Sequence, residues 1–170
     1  MHTAAYDYVS RFANTEPITV IEIGSRDING TPRPLFPAAT WVGLDLHEGP
    51  AVDWVGDAVK YAPSALVDLV ICTEVLEHAE NWRELIAIAA SWLKPGGKLI
   101  MTCAGPGREP HSHHDGATLR DGEYYGNLTC DQITGKMRST GLIVLSVEQG
   151  QTVSYDDYFG TDIRSVAYRS

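Results

Sequence analysis

The sequence has few cysteines: Cys72, Cys103 and Cys130 are the only three among 170 residues. An odd number of widely spaced cysteines argues against a disulfide framework or a zinc knuckle and indicates reduced thiols in or near a core. The sequence also lacks an apolar run of about 20 residues, which a membrane-spanning helix needs. Its N-terminus has neither the basic flank nor the apolar segment of a secretory signal. We therefore expect a cytoplasmic protein without a membrane segment.

Basic residues are scarce as well, with 13 Lys and Arg against 22 Asp and Glu and a net charge of -9. This balance disfavours broad electrostatic binding of a nucleic-acid backbone. We expect a small-molecule partner, with nucleic acid as the second choice, and the sequence does not indicate an oligomeric state. The hydrophobic fraction of 44% and the length are typical of one globular domain.

Short apolar segments rich in β-branched residues alternate with segments of helical periodicity along the chain. Strands are predicted at 18–23, 41–46, 52–55, 67–72, 98–103, 142–147 and 163–168, and helices at 1–16, 81–93 and 130–139. Strands separated by helices imply parallel pairing, and two late strands without a helix between them allow an antiparallel pair. We predict an α/β fold, a doubly wound and mainly parallel sheet of about seven strands with an antiparallel C-terminal hairpin and helices on both faces.

Acidic residues and a glycine stand where the first three predicted strands end. They are Glu22 and Gly24 at the first strand, Asp45 at the second and Asp57 at the third. Ligands of open α/β sheets bind beyond this edge, so we expect the three carboxylates to line one slot. Asp45 lies about 20 residues beyond Gly24, the spacing of a carboxylate that accepts ribose hydroxyls. Asp57 can accept a hydrogen bond from an exocyclic amine such as that of adenine.

The acidic slot argues against a dinucleotide cofactor. Carboxylates repel a pyrophosphate, and a nicotinamide dinucleotide requires the sequence G-x-G-x-x-G. Counted from Gly24, the third and sixth positions of that sequence are Arg26 and Asn29. A ligand with ribose hydroxyls, an aminopurine and an ammonium group suits the carboxylates better. An aspartate at one strand end is more often a turn former or helix cap, and it is the joint placement of these acids that favours a binding slot.

Five segments resemble the successive motifs of class I S-adenosylmethionine-dependent methyltransferases. In chain order they are E-I-G-S-R (22–26), G-L-D-L (43–46), G-D-A (56–58), D-L-V-I-C-T-E-V-L-E-H (68–78) and L-K-P-G-G-K-L (93–99). The resemblance implies S-adenosylmethionine as cofactor and S-adenosylhomocysteine as product. The cofactor contacts that it implies are Glu22, Gly24, Ser25, Arg26, Asp45, Leu46, Asp57, Ala58, Glu74 and Val75.

On this basis we treat residues 1–170 as a single domain in four parts. They are an N-terminal helix (1–16), a cofactor-binding core (18–103), a polar loop that faces the substrate (104–127) and a C-terminal helix with strands (128–170). Near the end, residues 155–158 are expected to form a solvated acidic turn.

The loop after the first strand departs from the family pattern. The family has E-x-G-x-G-x-G, whereas Arg26 and Ile28 occupy the second and third glycine positions here. Prolines 32, 34 and 37 leave room only for a short or distorted helix. We expect this departure to affect the geometry of the loop and the affinity for the cofactor.

The loop 104–127 holds half of the six histidines and is the candidate for acceptor recognition. An oxygen acceptor needs a base or a metal to lose its proton. We predict His111 or His113 as the base, with Asp115 fixing the histidine tautomer. Tyr124, Tyr125 and Asn127 are candidates to hold an acceptor, with packing at the edge of the core as the alternative for the two tyrosines.

A metal ion is the alternative to a histidine base for removing the proton of an oxygen acceptor. If the chain turns helical after strand 67–72, Glu74, Glu77 and His78 lie on one helix face. This pattern is similar to the metal-binding segment of small-RNA 2′-O-methyltransferases and ubiquinone-pathway O-methyltransferases, where a histidine from a later loop completes the site. Because E-V-L-E-H also occurs in family members that use no metal, we assign no metal ligand.

Three functions remain open. The first is methyl transfer from S-adenosylmethionine to an unidentified small or medium-sized acceptor at oxygen, nitrogen or carbon. The second is metal-assisted O-methyl transfer to RNA or a catechol-like hydroxyl. The third is a non-catalytic domain that binds S-adenosylmethionine or S-adenosylhomocysteine, an alternative motivated by the unusual loop 24–30.

Overall fold

A computed structural model describes residues 2–154 and 157–170 of the chain. The helices are α1 (Thr3–Ser10), α2 (Trp82–Trp92) and α3 (Cys130–Ser139). The strands are β1 (Thr19–Ile23), β2 (Thr40–Asp45), β3 (Trp54–Val55), β4 (Val67–Thr73), β5 (Leu93–Ala104), β6 (Leu142–Ser154) and β7 (Asp157–Arg169).

The strands form one sheet in the order β3-β2-β1-β4-β5-β7-β6. Strands β1 to β5 pair in parallel, and β7 runs antiparallel to both β5 and β6. The predicted fold class is therefore confirmed, including the antiparallel C-terminal hairpin. Chain order reverses between β1 and β4, which opens a crevice at their carboxyl ends.

Alternate residues of the central strands pack against helices on opposite faces of the sheet. On one face, Tyr8 and Val9 of α1 pack with Val20, Ile71 and neighbouring strand residues. The other face carries the larger core, in which α2 and α3 cover residues of β1, β4, β5 and β7. This burial on both sides explains why β4 reads as a continuous apolar run, the pattern of a central parallel strand.

Several elements differ in length from the sequence predictions. Helix α1 ends at Ser10 instead of extending to residue 16. The connection from β1 to β2 contains only the 3-10 helix Arg33–Leu35, since Pro32 and Pro34 restrict this segment. Strands β6 and β7 are each 13 residues long, because they continue to pair with one another beyond the apolar stretches that predicted them.

The cysteines, the helix lengths and the turn near the C-terminus were also predicted from the sequence. Cys72 and Cys103 are buried free thiols and Cys130 is a partly buried one. None of the helices in the described part of the chain is long and apolar enough to cross a bilayer. The turn expected at 155–158 involves residues outside the described ones, so it stays a prediction.

A capping box starts α3 and yields a stability prediction. The Thr129 side chain accepts a hydrogen bond from the Gln132 backbone N–H, and the Gln132 side chain accepts one from the Thr129 N–H. Thr129→Ala removes one of these bonds and should lower the free energy of unfolding by about 1 kcal/mol. Urea denaturation measures the change. Thr129→Ser keeps the capping oxygen and should stay near wild type; equal losses in both variants would contradict the capping role.

Candidate active site

A cavity of about 880 Å³ lies at the carboxyl edge of the sheet, over the crevice between β1 and β4. Its lining includes all ten residues predicted to contact the cofactor and the three predicted catalytic residues, His111, His113 and Asp115. The strand tips contribute one part of its lining, and residues 108–113 and 115–118 of the segment after β5 contribute another. The structure thus brings together residues that lie up to 93 positions apart, from Glu22 to Asp115. This placement assigns none of them a chemical role by itself.

Gly24 sits at the tip of β1 in a conformation that suits glycine. Its φ is +76°, and its N–H donates to the Leu44 carbonyl at 2.8 Å. A Cβ placed on Gly24 would lie 2.2 Å from Cγ2 of Val75, at the tip of β4. The two central strand tips therefore approach each other as closely as a glycine permits, and Gly24 keeps the floor of the cavity open.

Asp45 is held at the end of β2 by two backbone groups. Its Oδ1 accepts from the N–H of His47 at 2.9 Å and its Oδ2 from the N–H of Arg26 at 3.2 Å. An ionised carboxylate offers about four acceptor positions, so these bonds orient it and leave capacity for ligand hydroxyls. The bond to Arg26 also joins the tips of β1 and β2.

Asp57 serves a local structural purpose at the cavity wall. Its Oδ1 accepts from the N–H of Val59 at 3.1 Å and caps the 3-10 helix Ala58–Lys60. Asp57 and Ala58 both line the cavity. Capping and ligand binding are compatible, because the carboxylate can accept more than one hydrogen bond.

Glu22 is a buried carboxyl with incomplete pairing. Its side chain is 4% exposed, and Oε2 lies 3.7 Å from Nε of Arg33 without forming a hydrogen bond to the described residues. Arg33 donates instead to the Ala51 carbonyl at 2.7 Å. Burial raises the pKa of Glu22 to about 8, with the Arg33 charge opposing the rise. The carboxyl is therefore ready to ionise when a cation enters the cavity.

This pKa makes protein stability depend on pH. The unfolded carboxyl ionises near pH 4.5 and the folded one near pH 8, so the unfolded state binds fewer protons between these values and stability falls as pH rises. We expect wild type to lose about 3–5 kcal/mol relative to Glu22→Gln across this window. Urea denaturation of both proteins at pH 5 and pH 8 measures the difference, in which titrations of other groups cancel. Parallel stability curves would rule out the shifted pKa.

Glu74 follows β4 with a φ of +55° and is bound from three sides. Its Oε2 lies 2.8 Å from Nε2 of His2, its Oε1 accepts from Oγ1 of Thr102 at 2.7 Å, and Arg108 is 3.7 Å away. Burial opposes ionisation of Glu74, but the hydrogen bond and charge of His2, followed by Arg108 and Thr102, keep its pKa below the ordinary value. Glu74 thereby ties the N-terminus of the chain to the cavity floor.

Glu77 is completely buried, and its environment is the opposite of that of Glu74. Neither carboxylate oxygen makes a hydrogen bond of normal geometry with the described residues. Burial, and then the negative charge of Glu74, raise the Glu77 pKa well above the ordinary value. The segment is a 3-10 helix, Leu76–His78, and this turn separates Glu74 from Glu77 and His78. The single face expected for the three residues is therefore not formed.

A cluster of side chains surrounds Glu77. One ligand atom each of Glu77, His78 and His111 lie within 4.8 Å of one another. The ring of Tyr125 is 5.2 Å from that of His78 and 4.9 Å from that of His111. Burial, followed by the charges of His111 and His113, lowers the pKa of His78 to about 4. His78 and Tyr125 are thus neutral acceptor or donor groups beside a predicted base.

The predicted orientation of the catalytic histidines needs a correction. Asp115 pairs with Arg120 at 2.5 Å and accepts from the N–H of Ala117, so it does not orient a histidine. Glu123 takes that position, with Oε1 3.1 Å from Nδ1 of His113. Asp115 is exposed and followed closely by Arg120, which reaches it within the same loop. Burial, and then the charge of His114, lower the pKa of His113 and favour a neutral base.

Four residues of the site were not predicted from the sequence: His2, His47, Arg108 and Glu123. His2 reaches Glu74 across 72 positions, and Glu123 reaches His113 after the chain has folded back through Gly116 and Gly122. No local pattern relates such residues, since their proximity depends on the path of the chain. His47 could have been predicted, because it lies two residues beyond the predicted ribose ligand Asp45.

The chain is similar in sequence to known proteins. A family model described as a methyltransferase domain matches residues 1–130. The ubiquinone biosynthesis O-methyltransferase of Pectobacterium atrosepticum is 35% identical over 60 residues, which are 34% of this chain and 25% of that protein. The chain thus matches only a quarter of the length of this curated relative.

Solved structures share the whole fold. The N-methyltransferase NodS of Bradyrhizobium japonicum, solved with S-adenosyl-L-homocysteine, superposes with a TM-score of 0.67 at 17% identity, covering 98% of this chain and 84% of NodS. The magnesium protoporphyrin IX methyltransferase of Synechocystis, solved with bound S-adenosylmethionine, gives a TM-score of 0.66 at 19% identity, with coverage of 98% and 79%. At these identities the likeness establishes the fold.

Proposed function

The chain belongs to the methyltransferase domain family, and from this membership we propose that it transfers the methyl group of S-adenosylmethionine to a small or medium-sized acceptor at oxygen, nitrogen or carbon. When bound, S-adenosylmethionine supplies a methyl group activated on a sulfonium. S-adenosylhomocysteine is the product. The residues of this chain bind the donor, exclude water and position the acceptor.

One observation carries the proposal: ten residues implied by the family motifs line a single cavity at the point where strand order reverses. Its volume of about 880 Å³ lies in the range of small-molecule sites. The hydrogen-bond acceptors of the cavity also fit the ligand. Asp45 has acceptor capacity for ribose hydroxyls, Asp57 has a second oxygen for the adenine amine, and Glu22 has an unpaired oxygen for a cation.

The unusual loop after β1 is compatible with this site. Asp27 accepts a hydrogen bond from the N–H of Gly30 at 2.8 Å, and its own N–H donates to the Pro50 carbonyl at 3.0 Å. These bonds hold a compact turn without the second and third glycines of the family pattern. A methyl donor requires no backbone cradle for a pyrophosphate, so Arg26 and Ile28 at the glycine positions do not argue against this ligand.

The acceptor side of the cavity is formed by the segment between β5 and α3. His111 and His113 project from it into the cavity lining, opposite the strand tips. We assign His111 as the base for a hydroxyl acceptor, because it lies beside the neutral groups His78 and Tyr125. Its Nδ1 lies 3.0 Å from the Glu109 carbonyl, which favours a proton on Nδ1 and leaves Nε2 as the acceptor.

Calorimetric titration tests the proposal. The protein should bind both S-adenosylmethionine and S-adenosylhomocysteine at one site per chain. Transfer of an isotope-labelled methyl group to a panel of hydroxyl, amine and carbon acceptors then identifies the substrate. Binding of neither ligand would refute the proposal. Binding of both without transfer to any acceptor would favour the non-catalytic alternative.

Metal-assisted O-methyl transfer is a second candidate, favoured by the Glu77 cluster. A fully buried carboxyl without well-formed hydrogen bonds is costly unless something compensates it. A divalent cation held by Glu77, His78 and His111 would provide that compensation and would lower the pKa of an acceptor hydroxyl. In this version His111 is a metal ligand instead of a base.

Mn²⁺ binding distinguishes the two versions. If the cluster binds a divalent cation, Glu77→Gln removes its charged ligand and should abolish Mn²⁺ binding as followed by electron paramagnetic resonance. Thr118→Val, in the same cavity wall and outside the cluster, should leave binding unchanged. Equal Mn²⁺ affinity of wild type and Glu77→Gln, or methyl transfer that persists in EDTA, would exclude the metal-assisted version.

We also propose that the protein works in a reducing compartment, the cytoplasm being the simplest choice. Two buried thiols and one partly buried thiol support this location, since all three cysteines are unpaired.

A further inference from the structure

A second histidine cluster lies at the rim of the cavity, on the side of β2. One ring nitrogen each of His47, His113 and His114 lie within 4.8 Å of one another. His47 comes from the turn after β2, whereas His113 and His114 come from the segment after β5. The ring centroids are 4.8 Å apart for His47 and His114 and 4.1 Å apart for His113 and His114. Three imidazoles from two separate chain segments thus converge at one point.

The cluster has features that a solvated group of histidines lacks. Nε2 of His47 is buried and has no hydrogen-bond partner among the described residues. All three rings are only partly exposed. Since neighbouring imidazolium charges repel, such packing favours neutral rings, the form that binds metals.

Glu123 provides the carboxylate that usually accompanies a metal-binding histidine. Its Oε1 lies 3.1 Å from Nδ1 of His113 and 3.6 Å from Nε2 of His114. The carboxylate is itself fixed, because it accepts hydrogen bonds from Oγ of Ser112 and from the N–H of Arg120, both at 2.8 Å. A carboxylate on one ring nitrogen places the proton there and leaves the other nitrogen basic.

We propose that His47, His113 and His114 bind a transition-metal ion, with Zn²⁺ the best match, and that this ion fastens the segment 108–123 to the β2 side of the cavity. Three neutral imidazoles form a typical zinc ligand set, and a water molecule would complete the tetrahedron. Zinc–nitrogen bonds of about 2.1 Å require ligand atoms about 3.4 Å apart, so side-chain shifts of about 1 Å suffice.

The path of the segment 108–123 indicates that a bound ion would hold it against the turn after β2. Its two ends are attached to the body of the domain, where Gly105 donates to the Thr161 carbonyl and Gly126 to the Glu77 carbonyl. Between them the segment lines the cavity, and the rings of His113 and His114 contact the ring of His47, which follows β2. A metal at this contact closes the cavity wall, and its removal releases the middle of the segment.

This site is separate from the Glu77 cluster in ligands and in role. Glu77, His78 and His111 are not among the three histidines of the proposed site, and Glu77 is completely buried. The two clusters approach through His78 and His113, whose ring centroids are 6.0 Å apart. Variants of His114 and of His111 therefore distinguish them, since each removes a ligand from one cluster only.

The test uses protein freed of metal with EDTA, and Co²⁺ and Zn²⁺ as probes. Wild type should bind one Co²⁺ with the intense visible bands of tetrahedral coordination, and Zn²⁺ should displace it. His114→Gln and His47→Gln should each weaken Zn²⁺ affinity more than 100-fold. Glu123→Gln removes only an orienting carboxylate and should weaken it about 10- to 100-fold. His111→Gln is the matched control and should retain the Co²⁺ spectrum.

Limited trypsin digestion gives an independent readout of the fastening. Arg120 is 52% exposed in the segment, and cleavage after it should slow when Zn²⁺ is added to wild type but not when it is added to His114→Gln. Metal-free melting temperatures of the two proteins should agree, which shows that the variant folds. Absence of tetrahedral Co²⁺ binding in wild type, loss of binding in His111→Gln, or identical digestion with and without Zn²⁺ would each overturn the proposal.

Discussion

Asp45→Ala is expected to lower the affinity for S-adenosylmethionine and S-adenosylhomocysteine by about 10- to 100-fold, or about 1–3 kcal/mol. The side chain is held at the cavity edge by the N–H groups of Arg26 and His47. If Asp45 accepts the ribose hydroxyls, its removal leaves them without acceptors and also releases the turn that joins the tips of β1 and β2. Isothermal titration calorimetry with both ligands measures the loss.

Glu48→Ala is the matched control, because it removes the same charge three positions along the chain from an exposed residue. It should keep wild-type affinity. Asp45→Asn retains one acceptor oxygen and should fall between the alanine variant and wild type. Equal affinities for wild type and Asp45→Ala would refute the ribose assignment, whereas a parallel loss in Glu48→Ala would point to long-range electrostatics.

Gly24→Ala is expected to destabilise the protein by about 2–4 kcal/mol and to abolish measurable binding of S-adenosylhomocysteine. An alanine at φ +76° pays the cost of the left-handed conformation, and its Cβ would lie 2.2 Å from Cγ2 of Val75. Relieving that contact separates the tips of β1 and β4 or pushes Val75 into the cavity. Urea denaturation measures the first effect and calorimetry the second.

Two controls separate the contact from the backbone strain. Val75→Ala removes Cγ2, so the double variant Gly24→Ala/Val75→Ala should recover the part of the stability loss that is due to the contact and keep the part due to φ. Gly135→Ala, in the middle of α3 where an added Cβ meets nothing within 4 Å, should stabilise by about 0.5–1 kcal/mol. Gly24→Ala with wild-type stability and binding would show that the strand tips adapt freely.

Local patterns predicted the parts of this protein that depend on short-range physics. β-branched apolar runs identified the central strands, because such strands are buried on both faces. The helix Cys130–Ser139 was predicted with its bounds, since a capping residue and a glycine delimit it. The acids after β1, β2 and β3 were placed at one edge, because parallel strands end on the same side of a sheet.

Local sequence patterns did not predict strand lengths or side-chain contacts that depend on residues distant in the chain. The full length of β6 and β7 was missed, since polar and glycine-containing stretches such as Glu148–Gln151 are strand residues only through their partners on the opposite strand. Asp115 was expected beside a histidine and pairs with Arg120 instead. Glu74 and Glu77 were expected on one helix face, but a positive φ at Glu74 and a 3-10 turn give them opposite environments.

The sequence by itself determined the central strands, the edge of the sheet where the cavity lies and the carboxylates and glycine that stand there, because these follow from periodicity and from spacing along single strands. Only the tertiary structure decided which side chains meet across the cavity: His2 with Glu74, Glu123 with His113, and His47 with His113 and His114. Such contacts join segments up to 72 positions apart. They depend on how the segment after β5 folds back over the strand tips, which no local pattern encodes.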